Sequence, residues 1–181
     1  MKCMKPSLKS VALLSLFAVA VAPALAATPS SAKVLLSRAT AEAKAGNKNV
    51  MLIFHASWCG WCKKMDAMLE SPEFAKTFDK SFVITHVVVL ENPDKKNLEN
   101  EGGAALMAKF GGATAGLPFF VILNGKGEKI GDSFLANKQN MGFPSEPQEV
   151  STFMALMKKT APKMTAAELT SLETFLRNPK K

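Results

Sequence analysis

The sequence predicts an α/β domain: a mixed central sheet flanked by helices, with a two-helix C-terminal extension. Three observations carry this prediction. Three short apolar runs, residues 50–54, 82–90 and 119–123, lack regular polar alternation, the mark of strands buried on both faces. The segments between them carry apolar residues at helical spacing. Finally, Asn124-Gly125-Lys126-Gly127 links the third run to Glu128-Lys129-Ile130 as a hairpin, which gives the sheet an antiparallel edge.

Taken in chain order, residues 31–45 carry Val34, Leu35 and Ala39 at helical spacing and stop at Gly46-Asn47. The first strand follows over residues 50–54. Met65, Met68 and Leu69 then recur at helical spacing, and Ser71-Pro72-Glu73 restarts a short helix with Ser71 as N-cap and Pro72 at its first position. Valine-rich residues 82–90 form a second buried strand. A polar stretch, residues 91–100, leads to a helix that is firmest over residues 106–110; Gly102-Gly103 blurs its start and Gly111-Gly112 ends it. The third strand, residues 119–123, is introduced by Leu117-Pro118. Residues 131–147, with Gly142 and Pro144 near their end, read as a long loop. Val150, Phe153, Met154 and Met157 share one face of the next helix. Thr165 and Glu168 form a capping box for the last, which carries Leu169, Leu172 and Leu176.

The N-terminus has the pattern of an export signal. Lys2, Lys5 and Lys9 make a positive n-region, residues 11–22 are apolar, and Ala24-Leu25-Ala26 offers a small-x-small cleavage site. Pro23 interrupts the apolar stretch, which falls short of the roughly 18 residues that span a bilayer, so an uncleaved anchor is the weaker reading. The expectation is cleavage after Ala26, export to the periplasm or an equivalent compartment, and loss of Cys3 with the signal. The organisation is therefore a signal at 1–26, a core at 27–130, and a loop and helices at 131–181 packed on the same domain.

Losing the signal removes three lysines and takes the net charge from +8 to +5. The remaining lysines are dispersed or sit at helix ends, and no basic block is interleaved with aromatics. This composition argues for a solvated basic surface and against a nucleic-acid face. The methionines outside the signal fall at helical spacing, which favours core filling over a soft-metal surface.

Cys59 and Cys62 lie in Trp58-Cys59-Gly60-Trp61-Cys62-Lys63, at a strand-to-helix turn. With no third cysteine to pair with after export, they are an intramolecular disulfide, a dithiol or two metal ligands. A purely structural bridge is disfavoured, because closing so short a loop removes little chain entropy.

The order helix, strand, Trp-Cys-x-x-Cys-Lys, helix, strand, helix, x-Pro, hairpin, helix closely resembles the thioredoxin superfamily. More narrowly it resembles exported thioredoxin-like proteins that carry Trp-Cys-x-Trp-Cys-Lys-x-Met. The resemblance covers about residues 34–130; the remainder matches only in having helices. It implies a monomeric thiol:disulfide oxidoreductase, more a reductase than an oxidant, that needs no bound cofactor. Its partners would be protein thiols and disulfides, with a membrane electron donor upstream. Cys59, at a helix N-terminus, is expected to be the exposed nucleophile, its thiolate favoured by unpaired backbone N–H groups and the helix dipole. Cys62, one turn deeper, resolves the mixed disulfide. Pro118 would be a cis proline against the pair, with Leu117 offering backbone groups to a substrate strand. Trp58 would pack beside the site, while Gly60 and Trp61 occupy the variable positions before Cys62 and Lys63.

One departure stands out. Where thioredoxin places a buried Asp six residues before the nucleophile, this chain has Ile53. Proton transfer at Cys62 must then use water or another group, for which Glu91 is a candidate by position. His55 replaces a family aromatic and is expected to be structural, as is His86 among valines. Two other classes compete with the redox reading. The cysteines, with or without His55 and His86, could hold copper or zinc, although the histidines lack the usual His-x₃₋₅-His spacing. Alternatively the fold could serve as an interaction module in which the cysteines matter little.

Overall fold

The computed structural model describes residues 28–178. Its first helix, α1 (Ala32–Gly46), is capped by Ser31, whose hydroxyl accepts the Val34 N–H at 3.4 Å. The helix buries Ala32, Ala39 and Ala43, with Leu35 and Leu36 at the margin of the same face. Val34 points outward and is 40% exposed, against the expectation from its spacing. The stop uses Asn47 at φ 48°, and Gly46 is still helical; asparagine tolerates the left-handed region well enough to end a helix.

Four strands follow: β1 (Asn49–His55), β2 (Phe82–Val88), β3 (Phe119–Leu123) and β4 (Lys129–Asp132). They form one mixed sheet in the order β2-β1-β3-β4, with β1 parallel to β2 and antiparallel to β3, and β3 antiparallel to β4. The continuous apolar runs of β1 and β3 are the two central strands, buried along their length. β2 differs from its reading as a second fully buried strand. It is an edge, its middle residues Ile84, Thr85 and His86 are only half-buried, and it stops two residues early. The chain leaves the ladder after Val89, whose N–H bonds to the His55 carbonyl at 2.8 Å, and Leu90 turns to φ 56°.

The remaining helices cover the two faces. On one, α1 and α4 (Gly103–Lys109) pack against Val50, Leu52, Phe54, Val87, Phe119 and Val121. On the other, α2 (Gly60–Leu69), α3 (Ala75–Ser81), α5 (Pro147–Thr160) and α6 (Ala166–Arg177) enclose Met51, Ile53, Phe120 and Ile122. All eight methionines in the described residues are buried, as their spacing implied. The helix expected to restart at Ser71 begins later, at Ala75. Ser71 does accept the Phe74 N–H through its hydroxyl at 3.2 Å, but it caps a turn that precedes the helix. A short 3-10 segment (Pro93–Leu98) fills part of the polar stretch after β2.

The long loop is tied down. An isolated bridge joins Phe134 to Asn140, and the Glu149 carboxylate accepts the Ser145 and Glu146 N–H groups at 2.9 Å, which fixes the entrance to α5. The capping box of α6 is present: the Thr165 N–H donates to Glu168 at 2.9 Å and the Glu168 N–H to Thr165 Oγ1 at 3.2 Å. Among the described residues no helix is long and apolar enough to cross a membrane; the expected signal at 1–26 and its Cys3 lie outside them.

Candidate active site

The site is made where β1 runs out. Its last residue, His55, leads through Ala56 and Ser57 into a turn closed by the Cys59 N–H on the Ala56 carbonyl at 3.1 Å. Cys59 is the N-cap of α2 in extended conformation, and its sulfur receives the Cys62 N–H at 3.1 Å. That contact directs an otherwise unpaired helix donor at the sulfur, an arrangement that favours a thiolate. Cys59 and Cys62 are joined as a disulfide with Cα atoms 5.3 Å apart. Both are buried, at 3% and 1% exposure. The expectation of an exposed Cys59 is therefore corrected: Cys59 and Cys62 pack together with Ala56, and Leu117 lies over the cluster.

The Leu117-Pro118 bond is cis, and Pro118 is buried at the start of β3. Among the described residues the Leu117 N–H and C=O have no hydrogen-bond partner, whereas the carbonyls on either side do. Asn140 Nδ2 donates to Gly116 O at 2.7 Å and to Pro118 O at 3.0 Å, while its Oδ1 accepts the Ser133 hydroxyl at 2.6 Å. Asn140 thus fixes the proline segment and leaves the peptide groups of Leu117 open. Nothing in the sequence marks Asn140 for this task, since the contact depends on the path of a loop more than twenty residues downstream. Gly142, at φ 57°, brings the same loop against Pro118; a Cβ there would lie 3.5 Å from Pro118 Cδ.

The two tryptophans occupy opposite flanks. Trp58 is half exposed and donates its indole N–H to the Leu90 carbonyl at 2.8 Å. Trp61, also half exposed, stacks on Phe143 with centroids 6.3 Å apart and planes 19° from parallel, and Lys64 Nζ sits 4.3 Å from the Trp61 ring centre. Gly60 opens α2 on the exposed side with free space where a Cβ would point, and Lys63 is exposed.

Residues 32–125 match a family model described as thioredoxin-like. The chain belongs to the thioredoxin-like family. It carries that fold and a Cys-x-x-Cys pair at disulfide distance, the equipment of a thiol:disulfide oxidoreductase. Among solved structures, this thioredoxin-like chain is similar to a disulphide isomerase from Xylella fastidiosa Temecula1. The identity is 19% over 91% of this chain and 96% of that one, with a TM-score of 0.49. It is also similar to a thioredoxin from Thermus thermophilus, with 23% identity, 72% and 87% coverage and a TM-score of 0.45. A protein described as DsbH oxidoreductase gives 24% identity, 82% and 95% coverage and a TM-score of 0.44. No curated protein matches the sequence significantly.

In this thioredoxin-like domain the position of the missing acid is filled as the sequence implies. Ile53 is fully buried and pairs with His86 on β2 and Phe120 on β3. Glu91, the positional candidate to replace it, is buried and committed elsewhere. One carboxylate oxygen accepts the Ser57 N–H and the other the Ser57 hydroxyl at 2.8 Å. It acts as a strut under the turn that carries Cys59. The histidines meet each other, with ring centres 4.9 Å apart, and His86 Nε2 lies 2.9 Å from Asp66 Oδ1 on α2. Burial, and then the neighbouring His86, holds His55 below the ordinary value of 6.5, with Asp66 and Glu91 pulling weakly the other way. Among the described residues no three His, Cys, Asp or Glu side chains converge as a metal site.

Proposed function

We propose that this chain is an exported, periplasmic reductase of protein disulfides, working as a monomer through Cys59 and Cys62. The observation that carries the reading is the pair itself. It sits at the first turn of α2 with the Cys62 N–H aimed at Cys59 Sγ, beside a Leu117 whose peptide groups are unpaired among the described residues. An extended partner segment can hydrogen-bond to Leu117 as a strand would, which sets its disulfide against Cys59.

In the reduced protein the Cys59 thiolate attacks one sulfur of the partner disulfide; the S–S bond breaks and the leaving sulfur takes a proton as a thiol. Cys62 then loses its proton to water, since Ile53 offers no base, and its thiolate attacks Cys59 Sγ. The mixed disulfide breaks, the second partner thiol leaves, and Cys59-Cys62 closes. Two electrons have passed to the partner, and a dithiol donor in the membrane restores them.

The positive n-region and the Ala24-Leu25-Ala26 site support export with cleavage after Ala26. An oxidising compartment is where a dedicated disulfide reductase is needed. Cys59→Ala abolishes insulin reduction, whereas Cys62→Ala accumulates mixed disulfides that dithiothreitol releases; a Cys59→Ala protein that still reduces insulin defeats the assignment. The direction is tested by equilibrating residues 27–181 against dithiothreitol. A reduction potential near about −270 mV or lower agrees with a reductase, and one near about −120 mV makes the protein an oxidant. Periplasmic protein beginning at Ala27, read by mass spectrometry, agrees with export; intact chain confined to the cytoplasm overturns it.

A further inference from the structure

Two cavities flank the Trp61-Phe143 stack. One, of about 240 Å³, runs from Leu117 past Met141 and Gly142 to Phe143. The other, of about 330 Å³, is lined by Trp61, Ala67, Met68, Phe143, Phe175 and Leu176. Both share Trp61, which belongs to the redox turn, and Phe143, which belongs to the C-terminal extension. The first cavity therefore reaches from the open backbone of Leu117 to the Trp61-Phe143 pair, and the second, walled by α2, residues 143–145 and α6, shares that pair as lining.

From this we propose that the C-terminal extension builds a specificity groove. It selects partner segments in which a large apolar side chain lies near the cysteine in sequence, seated between Trp61, Phe143 and Phe175. The inference rests on the disulfide-exchange reading above. The occupant follows from continuity with that site: Leu117, Trp61 and Phe143 line one cavity, and strand side chains alternate toward and away from the surface that holds them. Lys64, over Trp61, puts positive charge on the second cavity, whereas Glu149 lines the one beside Leu117. Phe143 and Phe175 are specificity-determining residues here; the reacting sulfurs do not touch them.

The test uses three homodimeric peptide disulfides that are identical except around the cysteine, with phenylalanine before it, phenylalanine after it, or serine at both places. With reduced full-length protein, at least one phenylalanine peptide is reduced with kcat/KM about tenfold above the serine peptide, most of the gain falling on KM. Phe143→Ser, and independently Ala67→Gln, which fills the groove from an exposed helix position, shrink that ratio toward one. Equal rates for all three peptides with the unaltered protein overturn the groove and leave the exchange reading standing. A preference that survives in both variants overturns the assignment to these residues. No reduction of any peptide defeats the exchange reading and the groove with it. A dimer at micromolar concentration that Ala67→Gln abolishes gives the groove to a second copy of the chain, which also overturns the proposal.

Discussion

Glu91 follows the second strand, a position from which an acid could in principle serve Cys62, yet its carboxylate is spent on Ser57. The consequence is a stability role. Glu91→Ala leaves the Ser57 N–H without its partner beneath the Cys59 turn, and the expected loss is about 1–3 kcal/mol in urea unfolding. Glu91→Gln, which keeps one acceptor, recovers part of it; an alanine variant as stable as the parent refutes the strut. His55 gives a pH prediction. Its folded value is lowered below 6.5 by burial and His86, against the opposing pull of Asp66 and Glu91. As pH falls through 6.5 the unfolded chain takes up a proton that folded His55 does not. The contribution is therefore present above pH 6.5 and lost as pH falls through the lower folded value. The urea midpoint should drop below pH 6.5, and less so in His55→Gln; parallel curves would show that the cluster does not titrate this way.

Elements whose cause is local were legible before the fold was known. β1 and β3 announce themselves because a central strand has no polar face, and α6 because a capping box is written within four residues. β2 misleads for a related reason: valines suit an edge strand as well as a buried one, and only the strand order tells them apart. Contacts made at long range were out of reach. The Lys80-Glu168 pair, which ties α3 to α6, is one. Lys80, together with the Thr165 N–H and hydroxyl, holds the Glu168 carboxyl down from 4.5 to about 2. A depressed carboxyl stabilises the fold above its unfolded value and loses that contribution as pH falls toward about 2. Glu168→Gln should therefore lower Tm by about 3 °C near neutral pH. The difference should close in acid and shrink with salt, since the pair is near the surface. A gap in Tm that persists unchanged into strong acid would place the effect in packing.

At the scale of the whole molecule, the C-terminal extension is part of the core. Phe153 is fully buried and meets Phe120 edge to face at 6.0 Å, while Val150, Met154, Met157, Leu172 and Leu176 complete the cluster around Met51, Ile53, Met65 and Phe78. The family match ends at residue 125, before α5 and α6, so within the matched span only α2 and α3 cover that sheet face. Phe153→Ala should cost about 3–5 kcal/mol, the range for emptying a phenylalanine site in a packed core. Deleting everything after Asp132 removes nine buried side chains larger than alanine from that cluster at once and strips most of the cover from Phe120, Ile122 and Met51. A domain whose whole margin is about 5–15 kcal/mol does not survive such a loss. The truncated chain should bind a hydrophobic dye, lack a cooperative thermal transition and fail to reduce insulin. If it instead melts cooperatively with activity intact, α5 and α6 are an appendage, and the aromatic wall they place beside Trp61 is separable from the fold.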